Sequence, residues 1–127
     1  MQSRPNDAEL AAAVREFLET EVVPMLSDPR LKFRTLVAMN ALGMLEREAK
    51  IGEDLLRGEC SSLAGLLEVT ESAPASLEAL KARVLELNAQ LAARIRAGDA
   101  PAGTLETLKR AAIDKLRVSS PAYLKRY

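Results

Sequence analysis

Apolar positions along this chain recur at steps of three and four, the period of a helix buried on one face, and nowhere alternate as a strand would. Leu10, Val14, Phe17, Leu18, Val22 and Met25 predict one buried face of a first helix from about Asp7 to Val23. Asn6 is placed to cap it, with Glu9 three residues on to complete a reciprocal pair. Pro24 ends or kinks it, because a proline has no N–H and crowds the preceding turn. Asp28 and Pro29 then suit the cap and first position of a second helix, about 29–51, with Gly52 as its C-cap.

That second helix carries the stretch LVAMNALGML (36–45), in which apolar side chains fall on every side. A helix without a solvent face is expected to be the buried, central one. Asn40 stands in the middle of it. A third, weaker helix spans about 53–68, with Leu56, Cys60, Leu63 and Leu67 on one side and Gly58 and Gly65 inside. TESAPAS (70–76) reads as a linker. A fourth helix, about 77–97, is capped by Ser76 and ended by Gly98. Its seam is Leu77, Leu80, Val84, Leu87, Leu91 and Ile95. A fifth, about 105–118, turns Leu105, Leu108, Ala112 and Leu116 inward, and Pro121 stops it. The expected fold is therefore all-α: a single-domain bundle of about five helices over residues 1–127, with mostly antiparallel neighbours and the second helix central. Residues 1–6 and 119–127 are expected to be less ordered tails.

Length agrees with that reading, since 127 residues leave no room for two independent cores. Charge adds an asymmetry. The net charge is zero, but residues 1–76 hold 8 basic and 13 acidic side chains, whereas residues 77–127 hold 10 and 5. Two accounts stand: the halves attract each other, or the C-terminal half offers a basic surface to an anionic ligand or acidic partner. A nucleic-acid partner is not expected, for there is no dense Lys/Arg stripe and no aromatic platform. One cysteine, no signal-like apolar segment and no apolar run of spanning length predict a cytoplasmic protein that does not cross a membrane.

The residue inventory narrows the chemistry further. With no histidine, the commonest general base, the Ser–His and Cys–His dyads and His-containing metal sites are all removed. A single Cys cannot build a thiolate metal site, and no glycine-rich phosphate loop is present. Glu16, Glu19, Glu46 and Glu48 fall on faces expected to be solvated, and Cys60 reads as a small buried hydrophobe. An enzyme using only carboxylate, Arg and Tyr would need two carboxylates facing one pocket, which the pattern does not supply. No catalytic activity, metal or cofactor is expected.

The remaining candidates are amides and guanidiniums. Asn40 and Asn88, the latter flanking the seam of the fourth helix, fix helix register through buried hydrogen bonds, line a cleft with Arg34 or Arg94, or stand exposed to solvent. Arg94 and Arg96, at the end of the fourth helix, either complement its dipole or present themselves to a phosphate.

The stretches RPNDAELAAAVREFLETEVVPML, FRTLVAMNALGMLERE, LNAQLAARIRAGD and LKRAAIDKLRVSSPAYL resemble an uncharacterised family of short bacterial helical proteins. Its members are typically encoded beside an aminoglycoside-phosphotransferase-like kinase and an acyl-CoA dehydrogenase. The resemblance runs nearly end to end and is weakest over 53–76; KIGEDLLRGE (50–59) stands where the family continues the second helix with a longer acidic segment. It implies a non-catalytic accessory subunit of a kinase acting on hydroxyacyl-CoA in acid catabolism. The near-heptad seam of the fourth helix, for its part, is either wholly intramolecular or helps to form a homodimer. Arg34, Asn40, Asn88, Arg94 and Arg96 are the candidate interface or ligand-binding positions. The alternative is a stand-alone acyl-CoA or fatty-acyl carrier, its cavity lined by Met25, Met39 and Met44.

Overall fold

Asn6 opens the first helix with both halves of the expected cap: its side chain accepts from the Glu9 amide at 2.9 Å, and Glu9 Oε1 accepts from the Asn6 amide at 3.2 Å. In the computed structural model, which describes residues 4–70 and 74–126, α1 runs Asp7–Phe17. Before Pro24 the backbone widens into a π-helical turn, Leu18–Val22, and then tightens into a 3-10 turn, Val23–Met25. The Pro24 ring cannot follow four residues behind a regular carbonyl, so the chain loosens one turn ahead of it. Asp28 caps α2 (Pro29–Arg47) by accepting from the Arg30 amide at 3.0 Å.

Gly52 does not cap this helix. It lies inside a second π-helical turn, Glu48–Gly52, which leads directly into α3 (Glu53–Leu66). A Cβ on Gly52 would stand 2.6 Å from Glu48 Oε1, so the glycine leaves room for that carboxylate within the turn. The fourth helix, α4, spans Leu77–Arg96; α5 spans Thr104–Ser119. After Pro121, within the segment read as a tail, comes one further turn, α6 (Pro121–Leu124). Among the described residues the fold is all-α. The linker expected at 70–76 falls partly outside the described residues, as do the extreme ends of the chain.

The chain divides into two compact units, residues 1–52 with 118–120, and residues 53–117 with 121–127. In the first, α1 packs on α2 through small residues: only Ala8, Ala11 and Gly43 are buried. This overturns two expectations. The α1 face of Leu10, Val14, Phe17 and Met25 is exposed, with Leu18 and Val22 half-buried. The α2 stretch is not a buried centre either, for Leu36, Val37, Met44, Leu45 and Asn40 are exposed. Small residues allow two helix backbones to approach closely, and that approach turns the large apolar side chains outward.

The second unit holds the hydrophobic core. Cys60, Leu63 and Ala64 of α3 meet Leu80, Val84, Leu87 and Leu91 of α4, with Leu56, Leu66 and Leu67 packed around them. The middles of the α3 and α4 stripes were legible from spacing, whereas Leu77 and Ile95, expected at the two ends of the α4 seam, are exposed; Cys60 is the buried small hydrophobe expected. Both helix ends of this unit close with a left-handed residue. Gly98 (φ 75°) lets the Asp99 amide return to the Arg94 carbonyl at 2.9 Å. Glu68 (φ 58°) does the same work after α3, where the Val69 amide reaches the Ala64 carbonyl at 2.9 Å. A residue with a Cβ is strained there and glycine is not. Glu68→Gly is therefore expected to stabilise the protein by about 1 kcal/mol, read as a raised Tm.

Helix α5 departs from its expected orientation. Leu105, Leu108 and Ala112 are exposed and Leu116 is half-buried, whereas Thr107, Ala111, Asp114 and Val118 occupy its more sheltered side. Because α3 and α4 complete the core between them, the apolar stripe of α5 has nothing to enter, and the helix contributes no buried residue.

Candidate functional site

The side chains singled out from the sequence separate into those tied up by structure and those at the surface. Asn88 is half-buried, and its Nδ2 donates to Glu59 Oε2 at 3.2 Å, joining α4 to α3. Arg94 is engaged at its own helix end, where Nε donates to the Asp99 carbonyl at 3.1 Å and Nη2 pairs with Asp99 Oδ2 at 3.3 Å. It closes the cap of α4. Arg34, Asn40 and Arg96 are exposed. Arg34 and Asn40 belong to the first unit, Asn88, Arg94 and Arg96 to the second. Met25 and Met44 stand exposed and Met39 is half-buried, so these methionines do not enclose an acyl tail.

Asn40 is thus not a pin in a core. It sits at the surface of α2 amid exposed Phe33, Leu36, Val37, Ala41 and Met44, and among the described residues its amide has no hydrogen-bond partner. Successive positions 33, 37, 40 and 44 share one side of a helix, so this is a continuous apolar strip with one amide in it. A second strip, Leu105, Leu108, Ala112 and Leu116, runs along α5 with Lys109 and Lys115 on its flanks. An exposed apolar strip with a polar border is the signature of a surface made to be covered.

Sequence reasoning missed the polar network of the first unit. Glu46, expected to be solvated, is only 16% exposed and accepts from Arg15 at 3.2 Å and from Lys50 at 3.1 Å. Arg15 also approaches Glu19 at 3.8 Å. The hydrogen bond from Lys50 holds the Glu46 carboxyl below the ordinary range, burial opposes this, and Arg15 reinforces it. Since the folded value is depressed, the network's contribution is present above the unfolded carboxylate value and lost as pH falls through the folded one. The stability difference between wild type and Glu46→Gln is therefore expected at pH 7 and should close below about pH 4 in denaturation series. Arg47 and Arg57 were missed as well. Arg47 Nε donates to the Val118 carbonyl at 2.7 Å, while Arg57 clamps the carbonyls of Pro74 and Ala75 at 2.8 and 3.2 Å. The i,i+4 pairings of Glu46 with Lys50, Arg15 with Glu19 and Glu53 with Arg57 carried a sequence signal; the longer-range contacts did not.

Among the described residues no group of three or more His, Cys, Asp or Glu is placed to hold a metal ion, and no helix is long and apolar enough to cross a membrane. No curated protein and no solved structure matches the chain. Residues 24–123, which include both exposed strips, match the model of a domain of unknown function, DUF6285, and the chain belongs to that family.

Proposed function

We propose that this protein is a non-catalytic accessory subunit, binding a phosphotransferase-fold kinase that acts on hydroxyacyl-CoA in bacterial acid catabolism, in the cytoplasm. The resemblance described above supplies the partner class. The observation that supports a binding role is the apolar strip of α5, with Leu105 61% and Leu108 41% exposed on a unit whose core is already complete without them. About half the surface of each side chain is still in water, so a partner's groove that covers it recovers on the order of 1 kcal/mol each. Helix-in-groove recognition uses this spacing of anchors, and Lys109 beside the strip would meet an acidic rim.

Co-expression with a kinase of aminoglycoside-phosphotransferase type from the same genome, followed by size-exclusion chromatography and a kinase assay on hydroxyacyl-CoA, tests the reading. Co-elution with raised activity supports an accessory subunit; separate elution with unchanged activity contradicts it. The carrier alternative makes a different prediction, namely an acyl-CoA mass retained in native mass spectrometry. With Met25 at 81% exposure and Met44 at 40%, no observation favours it.

A further inference from the structure

We propose that the outward face of α1 and of the π-helical turn after it docks a cationic amphipathic helix of another protein. Asp7, Leu10, Val14, Phe17 and Glu21 follow one another at steps of 3, 4, 3 and 4, so they lie along one side of the helix, three apolar side chains with an acid at either end. Leu10 is 50%, Val14 48% and Phe17 51% exposed, and Asp7 and Glu21 are exposed with them. The side turned to α2 is a different one, where Ala8 and Ala11 are buried and Arg15 reaches Glu46.

Charge selects the occupant. Residues 7–22 carry Asp7, Glu9, Glu16, Glu19 and Glu21 against Arg15 alone, and Arg15 is engaged by Glu46 and Glu19. Within that stretch no cation stands on the outward side. Asp7 sits in the first turn, where the helix dipole favours an acid. Glu21 sits near the other end, where the dipole opposes one, and among the described residues it has no cationic partner. The fold gives that carboxylate nothing, and a cation from outside would.

A second copy brought up on the same face would set acid against acid, and nucleic acid or an anionic bilayer would be repelled in the same way. A helix with apolar residues at three- and four-residue steps and Lys or Arg beyond them fits both features at once. Its apolar face meets Leu10, Val14 and Phe17, and its basic ends meet Asp7 and Glu21, which stand about 20 Å apart along the axis at roughly 1.5 Å per residue. Three half-exposed side chains fall well short of the ~800 Å² that each partner commits to a standard interface, so the complex is weak, with a Kd on the order of 10–100 μM. This face belongs to the first unit and the strip from Leu105 to Leu116 to the second, so the inference goes beyond the accessory role proposed above.

Isothermal titration of the full chain with a synthetic amphipathic helix of leucine and lysine, and with its counterpart carrying glutamate for lysine, tests this. The lysine peptide should bind, about tenfold more weakly at 0.5 M than at 0.05 M salt, and the glutamate peptide should not. Glu21→Gln should weaken binding about two- to fivefold, and Phe17→Ser at least about tenfold. Glu21 is exposed, so its exchange leaves the fold intact and the test stands whatever Phe17→Ser does to stability. Leu108→Glu, on α5, should leave peptide binding unchanged, and no arm of the experiment depends on the kinase. No binding, equal binding of the two peptides, or binding indifferent to both α1 substitutions would overturn the proposal. So would self-association of the chain that Phe17→Ser abolishes, which would put a second copy on this face. Retention on phosphatidylglycerol vesicles that is lost with Phe17→Ser would overturn it too, by putting a lipid surface there.

Discussion

Leu87→Ala is expected to destabilise the protein by about 2–5 kcal/mol in chemical denaturation, whereas Leu85→Ala, two residues away, should change stability by less than about 0.5 kcal/mol. Leu87 is 0% exposed in the core formed by α3 and α4, and Leu85 is 74% exposed on the same helix. Truncating Leu87 removes its transfer energy and leaves a cavity that Leu63, Leu80 and Leu91, each held in the same cluster, can fill only in part. For a domain of this size such a loss is a large fraction of the whole stability. If the two substitutions behave alike, the second unit is not organised around this cluster.

That contrast also marks how far the sequence could be read. The α4 seam was legible because Leu80, Val84, Leu87 and Leu91 meet an equally regular α3 face, so the helical period alone identified what each would touch. Caps were legible too: Asn6 with Glu9, Asp28, Ser76 and Gly98 act on amides and carbonyls within their own turn, where spacing is sufficient.

The faces of α1, α2 and α5 were not. Periodicity says which side of a helix is apolar, not whether anything in the same chain covers it. In the first unit the small residues Ala8, Ala11 and Gly43 form the contact, so Val14 and Phe17 point outward although their spacing fits a core. Asn40 followed from the same error, because the buried helix expected around it is a surface helix. Long-range polar pairings such as Asn88 with Glu59 and Arg15 with Glu46, 29 and 31 residues apart, leave no local trace at all.

Leu108→Glu is expected to weaken binding of the proposed kinase partner by at least about a hundredfold, because it places a charge in the middle of an apolar contact that a hot-spot residue would fill. The residue is 41% exposed and contributes nothing to the core, so far-UV circular dichroism and the unfolding midpoint should stay close to those of the wild type. Leu105→Glu should act in the same direction from a position 61% exposed. Loss of helicity in these variants would mean that α5 depends on its stripe for folding. Binding unchanged in a well-folded Leu108→Glu protein would place the partner elsewhere.

Hydrogen exchange of the free chain against the chain mixed with the kinase tests the central claim most directly, since it reads every amide of α5 (Thr104–Ser119) at once. The account predicts slower exchange concentrated in residues 105–116 upon mixing, with the α3–α4 core unchanged. A mixture in which α5 exchanges as fast as in the free chain would contradict it.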